Sequence, residues 1–127
     1  RALATLLLVA PACSDATAPP EPGLLVVRFS TPNADDAAAV VTLTTPSGVT
    51  LGEVGASSEA FALFHRTSRA TTRLALFGAL SSGAIARFHV PNVRDASRYS
   101  VQLVEVADES NALRSALGGY SVTVVRE

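Results

Sequence analysis

Four acidic residues are the side chains in this sequence that come nearest to a metal site. Asp35 and Asp36 lie in one polar segment, and Asp108 and Glu109 lie in another. Carboxylate oxygens on loops are ligands that Ca²⁺ prefers, so the two segments could hold calcium if they meet at one end of the fold. The chain has no Asp-x-Asp-x-Asp-Gly loop. We therefore predict turn and capping roles for these acids and no metal or other cofactor, with a calcium site as the alternative.

Catalysis by a nucleophile would need a serine beside one of the two histidines, His65 and His89. No Gly-x-Ser-x-Gly turn is present. His89 alternates with Phe88 and Val90, which is typical of a solvent-facing strand residue, and His65 stands near the end of a strand pattern. Neither histidine has a partner at a metal-ligand spacing. We predict that the protein is not an enzyme, and a small envelope hydrolase is a further alternative.

The only cysteine, Cys13, stands between an apolar run and a proline-rich segment. Arg1 followed by the apolar stretch Ala2–Ala12 fits the charged and hydrophobic regions of a secretory signal. The chain opens on Arg rather than Met, so we expect the signal to begin upstream. A lone cysteine excludes an internal disulfide, and the apolar run is shorter than the roughly 18 residues of a spanning helix.

Ala12-Cys13 resembles the end of the lipobox in bacterial lipoprotein signal peptides. The resemblance implies that the Cys13 sulfur carries a diacylglycerol, that residues 1–12 are removed, and that the new amine is usually acylated. Ser14 in place of Asp after the cysteine points towards the outer membrane in that family, although inner-membrane retention stays open. Ala10 and Pro11 depart from the family pattern, so ordinary cleavage that leaves an unmodified Cys13 is the alternative.

The segment after Cys13 indicates a spacer. Residues 13–23 hold the cysteine and a linker, and Ser14–Pro22 is rich in proline and has no large apolar side chain. Nine residues in extended polyproline geometry span roughly 28 Å. We therefore expect residues 24–127 to form one domain held away from a membrane surface.

Period-two alternation of apolar and polar residues runs through the remainder of the chain. Leu25, Val27 and Phe29 begin the pattern, which comprises about seven or eight such runs in all, separated by turn residues at short spacing. This pattern predicts an all-β fold, an antiparallel β-sandwich, with one short helical turn before the last strand. The segment Asp108–Gly119 is the stretch that we expect to be helical. The strand count resembles Ig-like or cohesin-like modules of bacterial surface proteins, without identifying a family.

Charge and composition narrow the function further. Ten arginines and eleven acids are dispersed over 127 residues, with a net charge of −1. No basic patch predicts nucleic-acid binding. We expect an exported, membrane-anchored envelope or surface module, facing the periplasm or the cell surface. Its predicted partners are the membrane, through lipid on Cys13, and an envelope protein that it binds or scaffolds. A calcium- or ligand-binding sandwich is the first alternative.

Overall fold

Two antiparallel four-stranded sheets pack face to face in the computed structural model, which describes residues 18–127. The predicted all-β sandwich is therefore confirmed. Cys13, the predicted signal segment and the first part of the predicted linker lie outside the described residues. The strands are β1 (Gly23–Ser30), β2 (Asp36–Thr44), β3 (Val54–Ala56), β4 (Phe61–Ser68), β5 (Thr71–Leu80), β6 (Gly83–Val90), β7 (Ser100–Asp108) and β8 (Ser121–Arg126).

The strand order places early and late parts of the chain side by side. Sheet A has the order β3-β6-β1-β8, and sheet B has the order β4-β5-β2-β7. The sheets stack so that β3 lies against β4 at one side of the sandwich and β7 lies against β8 at the other. The strand order of sheet B leaves β4 and β7 as its two edge strands.

Alternating residues of both sheets form one core between them. Leu25, Val27 and Phe29 of β1 are buried, as their alternation predicts. The same holds for β2, where Ala39, Val41 and Leu43 are buried. The largest fully buried side chain is Phe88, whose ring contacts the ring of buried Tyr99 at a centroid distance of 5.8 Å.

Ile85 is a core residue that alternation does not predict. Since His89 faces outward, alternation along the strand predicts that Ile85 faces outward as well, but it is buried. Between Val27 and Arg28 the pairing of β1 with β6 shifts by one residue, and Ile85 is the extra residue. A bulge of this kind reverses which side chains point inward.

The one short helix in the described part of the chain lies earlier than the segment we expected. Residues Val93–Arg98 form a 3₁₀ helix, and the side chain of Asn92 caps it by accepting a hydrogen bond from the Arg94 backbone. The expected stretch Asp108–Gly119 is not helical, because Asp108 Oδ1 accepts from the backbone N–H groups of Ser110 and Ala112. These bonds form a turn that Asn111 completes in the left-handed region, at φ 64°.

The described end of the linker is attached to the sandwich. Glu21 forms ion pairs with Arg126 at 3.1 Å and with Arg94 at 3.5 Å. Its backbone carbonyl also accepts a hydrogen bond from Val93 N. The chain therefore enters the domain at a fixed point, at the end of the sandwich where β1 begins.

Gly78 allows β4 and β5 to approach closely. Its φ is +137°, and a Cβ at this position would lie 2.6 Å from the carbonyl oxygen of Ala60 and 2.7 Å from Cα of Phe61. A side chain could not fit without moving backbone, so only glycine suits this position.

Candidate functional site

Three of the four acids that the sequence singled out converge on Arg114. Its guanidinium Nη2 lies 2.9 Å from Asp36 Oδ1 and 2.5 Å from Asp35 Oδ1, and Nη1 lies 3.8 Å from Asp108 Oδ2. The fourth acid, Glu109, is exposed and donates its backbone N–H to the carbonyl oxygen of Asp35. The two acidic segments thus meet at one end of the sandwich, where a cation from the chain already lies between them.

Asp36 is the buried member of this cluster, with an exposed fraction of 2%. Its Oδ1 accepts from Arg114 Nε at 3.1 Å and from the Tyr120 hydroxyl at 2.9 Å, and its Oδ2 accepts from the Thr31 hydroxyl. Asn33 Nδ2 in turn donates to the Tyr120 hydroxyl at 2.7 Å. The bonds from Arg114, Tyr120 and Thr31 all donate to the carboxylate oxygens of Asp36, so they favour its ionised form.

These contacts set the pKa of Asp36. Burial is the largest single influence and raises the pKa, but the hydrogen bonds from Thr31, Arg114 and Tyr120 and the charge of Arg114 together outweigh it. The net result is a pKa below the ordinary value of 3.8. The pKa of Arg114 is raised by its hydrogen bonds to Asp35 and Asp36. Both partners are therefore charged at neutral pH.

Acid is expected to destabilise the protein through Asp36. Because the folded-state pKa is below the unfolded value of 3.8, the unfolded chain binds more protons, and stability falls as the pH drops below about 4. Above about pH 5 the contribution of this carboxylate is complete. Urea unfolding of the wild type and of Asp36→Asn across this range checks the prediction. The variant should be less stable at neutral pH and should lose less of its stability in acid; parallel curves would contradict it.

The calcium alternative has weak support from this geometry. Within residues 18–127, no three His, Cys, Asp or Glu side chains are placed to hold a metal ion. The guanidinium of Arg114 lies where a cation would neutralise Asp35 and Asp36, and it satisfies their oxygens with directed N–H bonds. The arrangement is that of a structural ion-pair network that joins β2 to the segment after β7.

Calcium is accordingly expected to leave the thermal unfolding midpoint unchanged. A ligand that binds only the folded state must raise the midpoint, and calcium modules outside the cell bind in the range of about 0.1 to 1 mM. Differential scanning calorimetry with about 5 mM CaCl₂ or an equal ionic strength of NaCl measures the difference. A midpoint that rises with calcium alone would restore the calcium alternative.

The two histidines line one open cleft of about 550 Å³ beside β3 and β6. His65 of edge strand β4 and His89 of β6 contribute to its lining, together with Glu53 and Arg87. His89 is exposed, as predicted, and its backbone pairs with Gly52 and Glu53. The sequence had given no reason to place the two histidines near the same cleft, because they lie on strands of different sheets.

The outer face of sheet B is the most unusual surface of the described chain. Across β4, β5, β2 and β7 its residues form four rows, each with one residue per strand. The rows change from apolar to cationic to hydroxyl-bearing along the strands. They are the apolar row (Ala62, Phe77, Ala38, Ala107), the mixed row (Phe64, Ala75, Val40, Glu105), the arginine row (Arg66, Arg73, Thr42, Gln102) and the hydroxyl row (Ser68, Thr71, Thr44, Ser100).

Two phenylalanines stand exposed on this outer face. Phe64 is 63% exposed and Phe77 is 52% exposed, and their rings meet edge to face at a centroid distance of 6.1 Å. Leu113, also exposed, extends the apolar row beyond β7 through a β-bridge to Ala107. Phe77 and Leu113 flank a cleft of about 260 Å³ with a floor that includes Ala38.

The arginine row places two like charges opposite each other. Arg66 and Arg73 are cross-strand partners on β4 and β5, both are exposed, and neither forms an ion pair with a residue in the range 18–127. Like charges at directly paired positions destabilise an antiparallel sheet. The pair Arg66 and Arg73 therefore lowers the stability of the isolated domain. A departure from the local rules that costs stability is typical of a functional site.

Replacing Arg66 with threonine is expected to stabilise the protein. The change removes the repulsion from Arg73 and introduces a β-branched side chain on an exposed strand, for a gain of about 0.5 kcal/mol. Urea unfolding at low salt measures it. The gain should shrink as salt screens the charges, and Arg28→Thr on the outer face of sheet A serves as the control with no cross-strand arginine. Equal effects at the two positions would contradict the explanation.

The proposed lipid attachment at Cys13 lies outside the described residues and stays a prediction. In residues 18–127, no helix has the length and apolar character needed to span a membrane. Searches against protein-family models, curated proteins and solved structures find no match to this chain.

Proposed function

We propose that this protein is a non-catalytic module of the bacterial envelope, anchored through lipid on Cys13, that binds a protein partner through the outer face of sheet B. The proposed binding of a protein partner rests on the exposed pair Phe64 and Phe77. Burying one such side chain contributes about 1.5–3 kcal/mol, so two adjacent exposed rings form a strong apolar contact for a partner. Aromatic residues at the centre of a patch are typical of protein interfaces.

The surroundings of the aromatic pair support an interface. Around the rings lie small or short side chains, Ala62, Ala75 and Ala38, which leave the rings raised above a flat sheet. Arg66 and Arg73 border this apolar centre on one side. An apolar centre beside arginines matches the composition of binding surfaces, in which arginine and aromatic residues are enriched.

Anchoring rests on the sequence before Pro22 and on how the linker joins the domain. The ion pairs of Glu21 fix the point where the chain enters, at the end of the sandwich opposite the Asp36 cluster. Sheet B would then stand with its arginine and hydroxyl rows nearer the membrane and its apolar row farther away. Two or three acyl chains give stable anchoring, where one chain would not.

The other functions have less support. Arg114 fills the acidic cluster that calcium would need. For a hydrolase, the cleft that both histidines line contains Glu53 and Arg87 but no serine among its lining residues in the described chain. Among the described residues, the lining of that cleft therefore brings no serine beside a histidine.

Mass spectrometry of the mature N-terminus tests the anchor. The proposal expects a chain that starts at Cys13 and carries a diacylglycerol, with an acylated amine in addition. The variant Cys13→Ser should be released from the membrane fraction while keeping the same thermal unfolding midpoint. An unmodified Cys13 in the purified native protein would refute lipid anchoring.

Affinity capture from detergent-solubilised native envelope tests the binding half. The immobilised wild type and the control Arg28→Ser/Thr123→Ala, altered on the outer face of sheet A, should retain the same protein. The variant Phe64→Ser/Phe77→Ser should lose it. Retention of the same protein by all three would show that the outer face of sheet B is not the contact surface.

A further inference from the structure

The β4–β5 hairpin joins three unusual features in one element. Its residues Phe61–Leu80 include Arg66, Arg69 and Arg73 and no acidic residue. None of the three arginines has an ion-pair partner within residues 18–127. The same hairpin carries both exposed phenylalanines. It is therefore a cationic and aromatic element in a chain whose overall charge is −1.

The outer edge of this hairpin is unpaired along its length. β4 is an edge strand of sheet B, and its eight residues pair with β5 in continuous register without a bulge. Among the described strands, the other edges are shorter or interrupted. β3 has three residues, β8 has six, and β7 has a bulge near Val104 and is bridged on its outer side by Leu113.

A long regular edge presents a row of backbone N–H and C=O groups to an added strand. Natural proteins usually block such an edge with a bulge, a proline or a covering segment. Within the described chain, β4 contains no proline and no bulge, and its backbone makes no hydrogen bond beyond its pairing with β5. The strand is thus available for main-chain pairing with a partner.

We propose that the partner adds an extended segment antiparallel to the edge of β4, with apolar side chains beside Phe64 and carboxylates beside Arg66. This inference rests on the proposed function and names the chemistry of its partner. Outward side chains of β4 alternate as Ala62, Phe64, Arg66 and Ser68. An antiparallel strand would match them with an acidic half followed by an apolar half.

The charges argue for another protein rather than a second copy of this chain. Antiparallel pairing of β4 with a second β4 would bring the unneutralised arginines of both hairpins together. Like charges that meet across an interface cost several kcal/mol. A segment with carboxylates instead neutralises Arg66 and relieves its repulsion from Arg73.

The test uses the folded protein and two end-blocked peptides, Glu-Thr-Glu-Thr-Val-Thr-Val and its counterpart with Lys in place of both Glu. Fluorescence anisotropy should show saturable binding of the Glu peptide at concentrations up to about 1 mM, and at least about tenfold weaker binding of the Lys peptide. Hydrogen–deuterium exchange should show new protection of alternate amides of β4, and not of β8, when the Glu peptide is bound.

A charge reversal provides the decisive variant. Arg66→Glu should lower the affinity for the Glu peptide about tenfold and raise that for the Lys peptide, whereas Arg28→Glu on sheet A should leave both unchanged. Arg66→Glu gains an attractive cross-strand partner in Arg73, so we expect it to fold. No binding, binding without β4 protection, a dimer formed through β4, or preference for phosphatidylglycerol vesicles would each overturn the inference.

Failure of this inference is distinguishable from failure of the proposed function. If the peptides do not bind but the native partner is lost in Phe64→Ser/Phe77→Ser, the partner uses the face of sheet B and not the edge of β4. If the partner is retained by that variant, the proposed function itself is wrong.

Discussion

Replacing Asp36 with alanine is expected to lower the free energy of unfolding by about 3 kcal/mol. Asp36 is buried and accepts hydrogen bonds from Thr31, Arg114 and Tyr120. Removing one partner from a buried charge pair costs about 3–5 kcal/mol, since the other groups lose their bonds while they stay partly buried. We expect the lower end of that range because Asp35 still neutralises the guanidinium. Urea unfolding at neutral pH measures the change.

Asp35→Ala is the matched control for this prediction. Its side chain is 53% exposed and contacts the same guanidinium. Ion pairs at the surface contribute between zero and about 1 kcal/mol, so this variant should stay within about 1 kcal/mol of the wild type. Equal losses at the two positions would mean that burial of Asp36 does not determine the strength of the network.

Replacing Phe88 with alanine is expected to destabilise the protein by about 4 kcal/mol. The ring is fully buried between the sheets and packs against Tyr99. Removing a buried phenyl ring loses its transfer free energy and leaves a cavity, which together cost about 3–5 kcal/mol. Urea or thermal unfolding measures the loss, and the slope of the urea transition should remain unchanged if the variant still folds in two states.

Phe77→Ala separates the core aromatic from the proposed binding aromatic. Phe77 is half exposed and contacts Phe64 edge to face, a contact of about 1 kcal/mol. The variant should therefore lose about 1 kcal/mol of stability and most of its affinity for the partner. A loss of stability as large as that of Phe88→Ala would place Phe77 in a structural role and contradict the proposed interface.

Much of the fold could be predicted from alternation, because each strand has one face in the core. β1 and β2 follow the pattern without exception at the inward positions Leu25, Val27, Phe29, Val41 and Leu43. Alternation could not reveal the bulge that turns Ile85 inward, since a one-residue register shift depends on the partner strand. The pattern over Val49–Val54 predicts a further short strand, whereas the structure has strand only at Val54–Ala56.

The helical prediction for Asp108–Gly119 was misled by local capping signals. Asp108 does satisfy backbone N–H groups, but in a turn, and Leu113 then bridges to Ala107 instead of packing on a helix face. The 3₁₀ helix follows Pro91-Asn92, a pair that is typical of the end of a strand as well as of a helix N-cap, so the local sequence does not predict this helix.

The candidate sites depended on contacts that no local pattern encodes. Arg114 lies 78 residues from Asp36 along the chain, so its place between the acids depends on the pairing of β2 with β7 and on the turn after β7. The one sequence signal for this contact is that Arg114 is the only cation in the segment Asp108–Gly119. The outward position of Phe64 could be predicted from strand parity. Its pairing with Phe77 could not, because that required the β4–β5 register.

Photo-cross-linking in cells that produce the protein tests the proposed interface most directly. A photoreactive amino acid would be placed at Phe77 on the outer face of sheet B, and at Thr123 on the outer face of sheet A as the control. The proposed function predicts one discrete protein cross-linked from Phe77, absent from Thr123 and lost when Phe64→Ser is added. Cross-links to the same protein from both positions, or none from Phe77, would contradict a protein-binding role for the outer face of sheet B.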